Sequence, residues 1–137
     1  MTGASIDAIH KALEEAGGRI EQALELLKAR GILVAAKKAD RQTGNGMIFY
    51  YIHANGKVGT LVKLLCETDF VARTEQFKEI GHELAMHIAA MNPINVEELL
   101  AQQYIRDPSQ TIDELIKSGI ATLGENIQVN EFCRFEI

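Results

Sequence analysis

The sequence predicts an α+β fold: an antiparallel three-stranded sheet with helices packed on one face, preceded by a small helical module. Three observations carry this. Asn55-Gly56 separates two runs rich in β formers, Met47 to Ile52 and Val58 to Leu65, which is the strongest short-range signal for a hairpin. Apolar residues then recur at three- and four-residue steps from Phe77 to Met91, the period of one helix face. Val129 to Ile137 alternates as a last strand, with the hairpin strands as its expected partners.

The bounds agree with one domain and a small appendage. The chain has 137 residues, of which 47% are apolar, so a core forms without disulfides. Two cysteines, Cys66 and Cys133, make no disulfide framework and point to a reducing compartment. A net charge of −5 argues against nucleic acid as a partner, because such binding rests on clustered cations that neutralise phosphates. It fits a protein that meets another protein. No run is long enough to span a membrane, and no basic segment precedes an apolar stretch at the N-terminus. A bacterial cytoplasm is the expected location, with an organelle matrix as the alternative.

Taken in order, residues 1–31 read as the helical module. Ile6, Ile9, Leu13 and Ala16 stand at helical spacing behind Ser5 as N-cap, and Gly17-Gly18 ends that helix. Ile20, Ala23, Leu24 and Leu27 form a second stripe, closed by Gly31. The size and pattern are UBA-like, but two short helices bury little and need a third helix or a partner surface. Residues 32–45, with Lys37, Lys38, Asp40, Arg41 and then Thr43-Gly44-Asn45-Gly46, read as a solvated linker. Residues 46–137 form the α+β core.

Within the core, Asn55-Gly56 fits a type I′ turn. Met47, Phe49 and Tyr51 share one face of the first strand, and Ile48, Tyr50 and Ile52 the other. Pro93 stops the long helix. Asn95-x-x-Glu98 caps a short helix ending near Tyr104, and Thr111-x-x-Glu114 opens a last one that Gly124 closes. The element order is β-β-α-α-α-β.

Covalent chemistry finds little support. His82 and His87 are five apart, about 140° around a helix, so they do not form the one-sided pair that zinc requires. Each is expected to face solvent or an interface. Gly56-Lys57-Val58-Gly59 lacks the rest of a phosphate loop and is explained by the hairpin. No nucleophile stands in a convincing context, and the paired acids Glu14-Glu15 and Glu97-Glu98 read as solvated faces. No catalytic residue, metal site or cofactor is assigned. Cys133 reads as a buried apolar thiol, with a cross-chain contact as the sharper alternative.

The informative segment is Cys66-Glu67-Thr68-Asp69-Phe70-Val71-Ala72-Arg73. It sets an acid and a large aromatic side by side between a strand and a helix. The carboxylate can compete for a donor or a cation, and the ring can act as a wedge. Spacing alone favours the plainer role, in which Thr68 or Asp69 caps the next helix and Phe70 is core.

These residues carry a family resemblance. Thr2-Gly3-Ala4 with Lys11-Ala12-Leu13-Glu14-Glu15-Ala16, Ala35-Ala36-Lys37-Lys38-Ala39, Gly56-Lys57-Val58-Gly59, the Cys66 to Arg73 block, Met86-His87-Ile88-Ala89-Ala90-Met91-Asn92-Pro93, Gly124-Glu125-Asn126-Ile127 and Arg134-Phe135-Glu136 stand in one order along the chain. Together they resemble elongation factor Ts, the exchange factor that releases GDP from elongation factor Tu. The Thr-Asp-Phe-Val block with its flanks is specific, and the single helix blocks are not. Ser5, Ile6 and Asp7 depart from the glycine and hydrophobic pair usual after Thr-Gly-Ala, and Lys63-Leu64-Leu65 replaces the usual Glu-x-Asn. The helix that ordinarily precedes Thr-Gly-Ala is not expected in this chain.

The resemblance implies a nucleotide exchange factor without covalent chemistry. Thr68, Asp69, Phe70 and Val71 would contact the partner close to its magnesium and phosphate site, and Ile6 and Asp7 would make a weaker contact from the helical module. His87, Met91 and Cys133 would lie on a partner or dimer surface. A single Thr-Asp-Phe-Val block implies the short form, a homodimer that draws its second half from another copy. The alternative is an adaptor or truncated paralogue that binds the GTPase without promoting exchange.

Overall fold

The structure, a computed structural model, describes residues 6–17 and 19–137, with the side chains of residues 6–8 outside the description. The N-cap expected at Ser5, the second glycine of the Gly17-Gly18 stop and the side chains of Ile6 and Asp7 therefore lie outside the described residues. Two helices come first, α1 (Ile6–Glu15) and α2 (Ile20–Lys38). A hairpin follows, β1 (Asn45–Ile52) and β2 (Val58–Cys66), then α3 (Asp69–Ala72), α4 (Glu75–Met91) and α5 (Val96–Ala101). The chain continues through β3 (Gln103–Tyr104), β4 (Asp107–Thr111), α6 (Ile112–Leu123) and β5 (Gln128–Glu136).

The sheet is antiparallel and three-stranded, as predicted, and its strand order is β1-β2-β5. Its inner face and α4 make the core, where Phe49, Val62 and Leu64 meet Phe77, Leu84, Ala85 and Ile88. Burying each large side chain contributes about 1.5–3 kcal/mol. Polar groups bind sheet to helix: the buried Thr60 hydroxyl donates to the carbonyl of Ala85 at 2.8 Å, and the half-buried Arg134 guanidinium donates twice to that of Ala89 at 3.1 and 3.0 Å. Side-chain alternation on β1 is as expected, with Phe49 inside and Ile48, Tyr50 and Ile52 outside.

Helix ends follow the sequence signals. Thr74 caps α4, accepting from the Phe77 amide at 3.2 Å, and Asn92, in the left-handed region at φ 46°, closes it before Pro93. Asn95 caps α5. Thr111 and Glu114 form a reciprocal capping box on α6, and Gly124 ends that helix at φ 76°.

Several expectations need correction. The second helix passes Gly31 and ends at Lys38, so much of the stretch expected as linker is helical. Gly31 faces α6: a Cβ there would stand 3.6 Å from the Cβ of Ala121, an ordinary van der Waals contact. One turn on, Ala35 enters the main core, and that burial outweighs the roughly 1 kcal/mol cost of a helical glycine. Ile20 is exposed, while Ala12, Ala16, Ala23 and Leu27 form the small core of the first two helices.

The hairpin turn is not type I′. Residues His53 to Lys57 form the loop between the strands, only Gly56 has positive φ (72°), and Asn55 instead accepts from the Lys57 amide at 3.0 Å. The short ladder of β3 and β4 falls where the sequence suggests the end of a helix and a connection.

Candidate functional site

The Thr68 to Arg73 segment leaves the end of β2 and turns at once into α3, a helix of four residues. So short a helix has no stability of its own, and its placement comes from its ends. At the front, the Thr68 hydroxyl accepts from the Val71 amide at 3.3 Å. At the back, the Thr74 hydroxyl donates to the Val71 carbonyl at 2.8 Å. Beneath, Ala72 is buried and Val71 packs on the main core. The buried Cys66 thiol donates to the Thr68 carbonyl at 3.1 Å. Burial, with Glu125 nearby, pushes that thiol up to about 11, so it stays protonated and serves as a donor.

Phe70 points the other way. It is 78% exposed, although spacing alone places it in the core. Asp69 is exposed beside it and pairs with Arg73 one turn along. An exposed pair of this kind contributes little net stability, so a stronger partner can take the carboxylate. The block expected to make contact thus divides into support (Thr68, Val71, Ala72) and a presented acid and ring (Asp69, Phe70).

Glu125, not singled out from the sequence as a site residue, anchors this support. Its carboxylate accepts from the amides of Glu67 and Thr68 at 3.1 and 3.0 Å and from the Thr68 hydroxyl at 2.7 Å. Glu67 answers by accepting from the Asn126 amide at 2.6 Å. No spacing rule joins positions so far apart in the chain; their appearance together among the blocks of family resemblance is the only sequence signal.

The remaining candidates separate. Met91 is exposed at the end of α4, and Cys133 is half-buried on the outer face of the sheet. His87 is not at a surface: its exposure is 0%, which corrects the expected partner contact. Its Nε2 lies 3.0 Å from the Gln102 side-chain oxygen, and its Nδ1 accepts from the Ile105 amide at 3.3 Å. Desolvation holds its pKa below the ordinary 6.5. The β3–β4 hairpin, unseen in the sequence, covers it. His82 is exposed, with its ring edge-on to Phe49 at 5.3 Å.

The outer face of the sheet is apolar in two neighbouring rows, beside a row that carries the Lys63–Glu131 ion pair at 2.7 Å. Tyr50, Leu61 and Cys133 stand in one cross-strand row, and Ile52, Gly59 and Phe135 in the next. Tyr50, Ile52, Leu61 and Phe135 are all exposed. Among the described residues, no group of His, Cys, Asp and Glu is arranged to hold a metal ion, and no helix is long and apolar enough to cross a membrane.

Known proteins place the chain. A family profile described as "Elongation factor TS" matches residues 67–137. The elongation factor Ts of Thermosipho melanesiensis is 39% identical over 181 aligned positions that take in 99% of this chain and 92% of that protein. The chain belongs to the elongation factor Ts family. The elongation factor Ts of Nostoc sp. is 47% identical over 136 positions, 99% of this chain but 43% of that longer protein. That of Aquifex aeolicus is 40% identical over 141 positions, 49% of its length. The Thermosipho alignment is longer than this chain, so that elongation factor Ts carries inserted residues that this one lacks.

Proposed function

We propose that this protein promotes release of GDP from elongation factor Tu, with Phe70 as the wedge and Asp69 acting beside it near the partner's magnesium and phosphate site. One observation carries this reading: Phe70 projects into solvent from a helix that Val71 and Ala72 fix to the core from below. A GTPase holds its nucleotide through backbone donors around the phosphates and a magnesium ion. A ring pressed into that loop displaces donors, and a carboxylate competes for the ion's water shell.

The energetics follow from linkage. Whatever factor this protein takes from the partner's affinity for GDP, GDP takes from the partner's affinity for this protein. A coupling of about 3 kcal/mol is roughly a hundredfold. No covalent bond changes, so no nucleophile, metal or cofactor is needed. The α1–α2 module, with Ile6 and Asp7 at its start, supplies a second, weaker contact.

The outer sheet face supports a homodimer. Tyr50, Ile52, Leu61 and Phe135 form a continuous apolar surface, and a second copy of that surface packs on it as sheet on sheet at about 10 Å. Cys133 lies within that surface, in the row of Tyr50 and Leu61. Adding this protein to elongation factor Tu loaded with fluorescent GDP tests the function. Accelerated release is expected; binding without acceleration would assign the adaptor role instead.

A further inference from the structure

The turn between α6 and β5 ties three parts of the chain into one node. Glu125 follows Gly124 and reaches the end of β2, where it takes the Glu67 amide, the Thr68 amide and the Thr68 hydroxyl at 3.1, 3.0 and 2.7 Å. Glu67 takes the Asn126 amide at 2.6 Å and lies 3.7 Å from the guanidinium of Arg41. The Asn126 side chain is buried and donates to the carbonyls of Ala39 and Arg41 at 3.3 and 2.9 Å. Ala39 and Arg41 stand just past the end of α2, so the same turn grips both the end of β2 and the base of the helical module.

We infer that Glu125 is the positioning residue of the exchange site: it fixes the direction in which α3 presents Phe70, and through Asn126 it fixes that direction relative to the helical module. This rests on the wedge role of Phe70. Three donors on one half-buried carboxylate leave that group little freedom, and bonds to an ionised acceptor are about twice as strong as neutral ones. A contact element must be held to about 0.5 Å to work, and a four-residue helix cannot hold itself. Thr68 relays the constraint, since the hydroxyl that donates to Glu125 also caps α3.

The role is distinguishable from plain stability. A loosened wedge binds the GDP-loaded partner but disturbs the nucleotide less. The maximal release rate at saturating protein therefore falls while the concentration for half-saturation does not rise. The test compares Phe70→Ala, Glu125→Ala, the conservative Glu125→Gln and the double variant Phe70→Ala/Glu125→Ala, each below its melting temperature. Expected is a loss of about tenfold in maximal rate for Glu125→Ala, within the range of such couplings, a smaller loss for Glu125→Gln, and a double variant no slower than Phe70→Ala alone. If Phe70→Ala slows release but Glu125→Ala and Glu125→Gln do not, or if the two losses multiply, the inference is overturned and the wedge stands. If Phe70→Ala has no effect, both fall. If Glu125→Ala does not fold, Glu125→Gln decides by the same criteria.

Discussion

The amide and the hydroxyl of Thr68 both donate to the carboxylate of Glu125, at 3.0 and 2.7 Å, across 57 residues of chain. One side chain from the α6–β5 turn therefore governs the start of α3. Because the same hydroxyl accepts the Val71 amide at 3.3 Å, cap and clamp are one group. Thr68→Val removes the cap and the hydroxyl's bond to Glu125, leaves the two amide bonds to that carboxylate, and keeps the shape. The expected loss is about 0.5–2 kcal/mol, the worth of an N-cap, felt locally as faster hydrogen exchange at the Val71 amide. Unchanged protection there would show that α3 is held by packing alone.

The core between sheet and helix predicts a second outcome. A Cβ on Gly81 would come within 2.0–2.4 Å of three ring carbons of Phe49, and that ring is itself confined by Phe77 and His82. Gly81→Ala should therefore lose about 1–3 kcal/mol through overpacking, despite the roughly 1 kcal/mol gained in helix propensity. A urea titration measures it; an unchanged or raised midpoint would contradict the packing described.

Stability should fall in mild acid because of His87. Its folded pKa lies below the ordinary 6.5, first because burial penalises the charged ring, with the Gln102 hydrogen bond opposing. The unfolded chain thus takes up a proton before the folded one does. The contribution is fully present above about pH 6.5, the unfolded value, and is lost progressively as pH falls from there towards the folded pKa. Urea midpoints of the wild type and His87→Gln across pH 7.5 to 5.5 should converge as the wild type weakens. Parallel curves would mean that folding leaves the His87 pKa unshifted.

The outer sheet face predicts assembly. At micromolar concentration the protein should sediment as a dimer, and Leu61→Lys with Phe135→Lys should weaken that dimer a hundredfold or more, about 3 kcal/mol, with unchanged circular dichroism. A wild-type monomer with full exchange activity would contradict the sheet-to-sheet dimer.

Much of the fold is legible in the sequence because local signals and packing agree. The Phe77 to Ile88 stripe is the core face of α4, and Thr111 and Glu114 form their box. Legibility fails where a distant contact overrides a local cue. Gly31 looks like a helix stop until α6 is placed beside it. His87 looks like a surface residue until the β3–β4 ladder, one strand of which has two residues, is laid over it. Phe70 illustrates the reverse: its spacing suits a core position, but Ala72 and Val71 fill the space under α3 and leave the ring outside. The support for that ring depends on Glu125, which no periodicity connects to it.

Stopped-flow release of fluorescent GDP from elongation factor Tu by Phe70→Ala tests the central claim most directly. Since the ring is 78% exposed, stability should change by less than about 0.5 kcal/mol. Release should slow by about 5-fold to 150-fold, the span of a 1–3 kcal/mol coupling. Wild-type release rates from a folded Phe70→Ala protein would contradict the account.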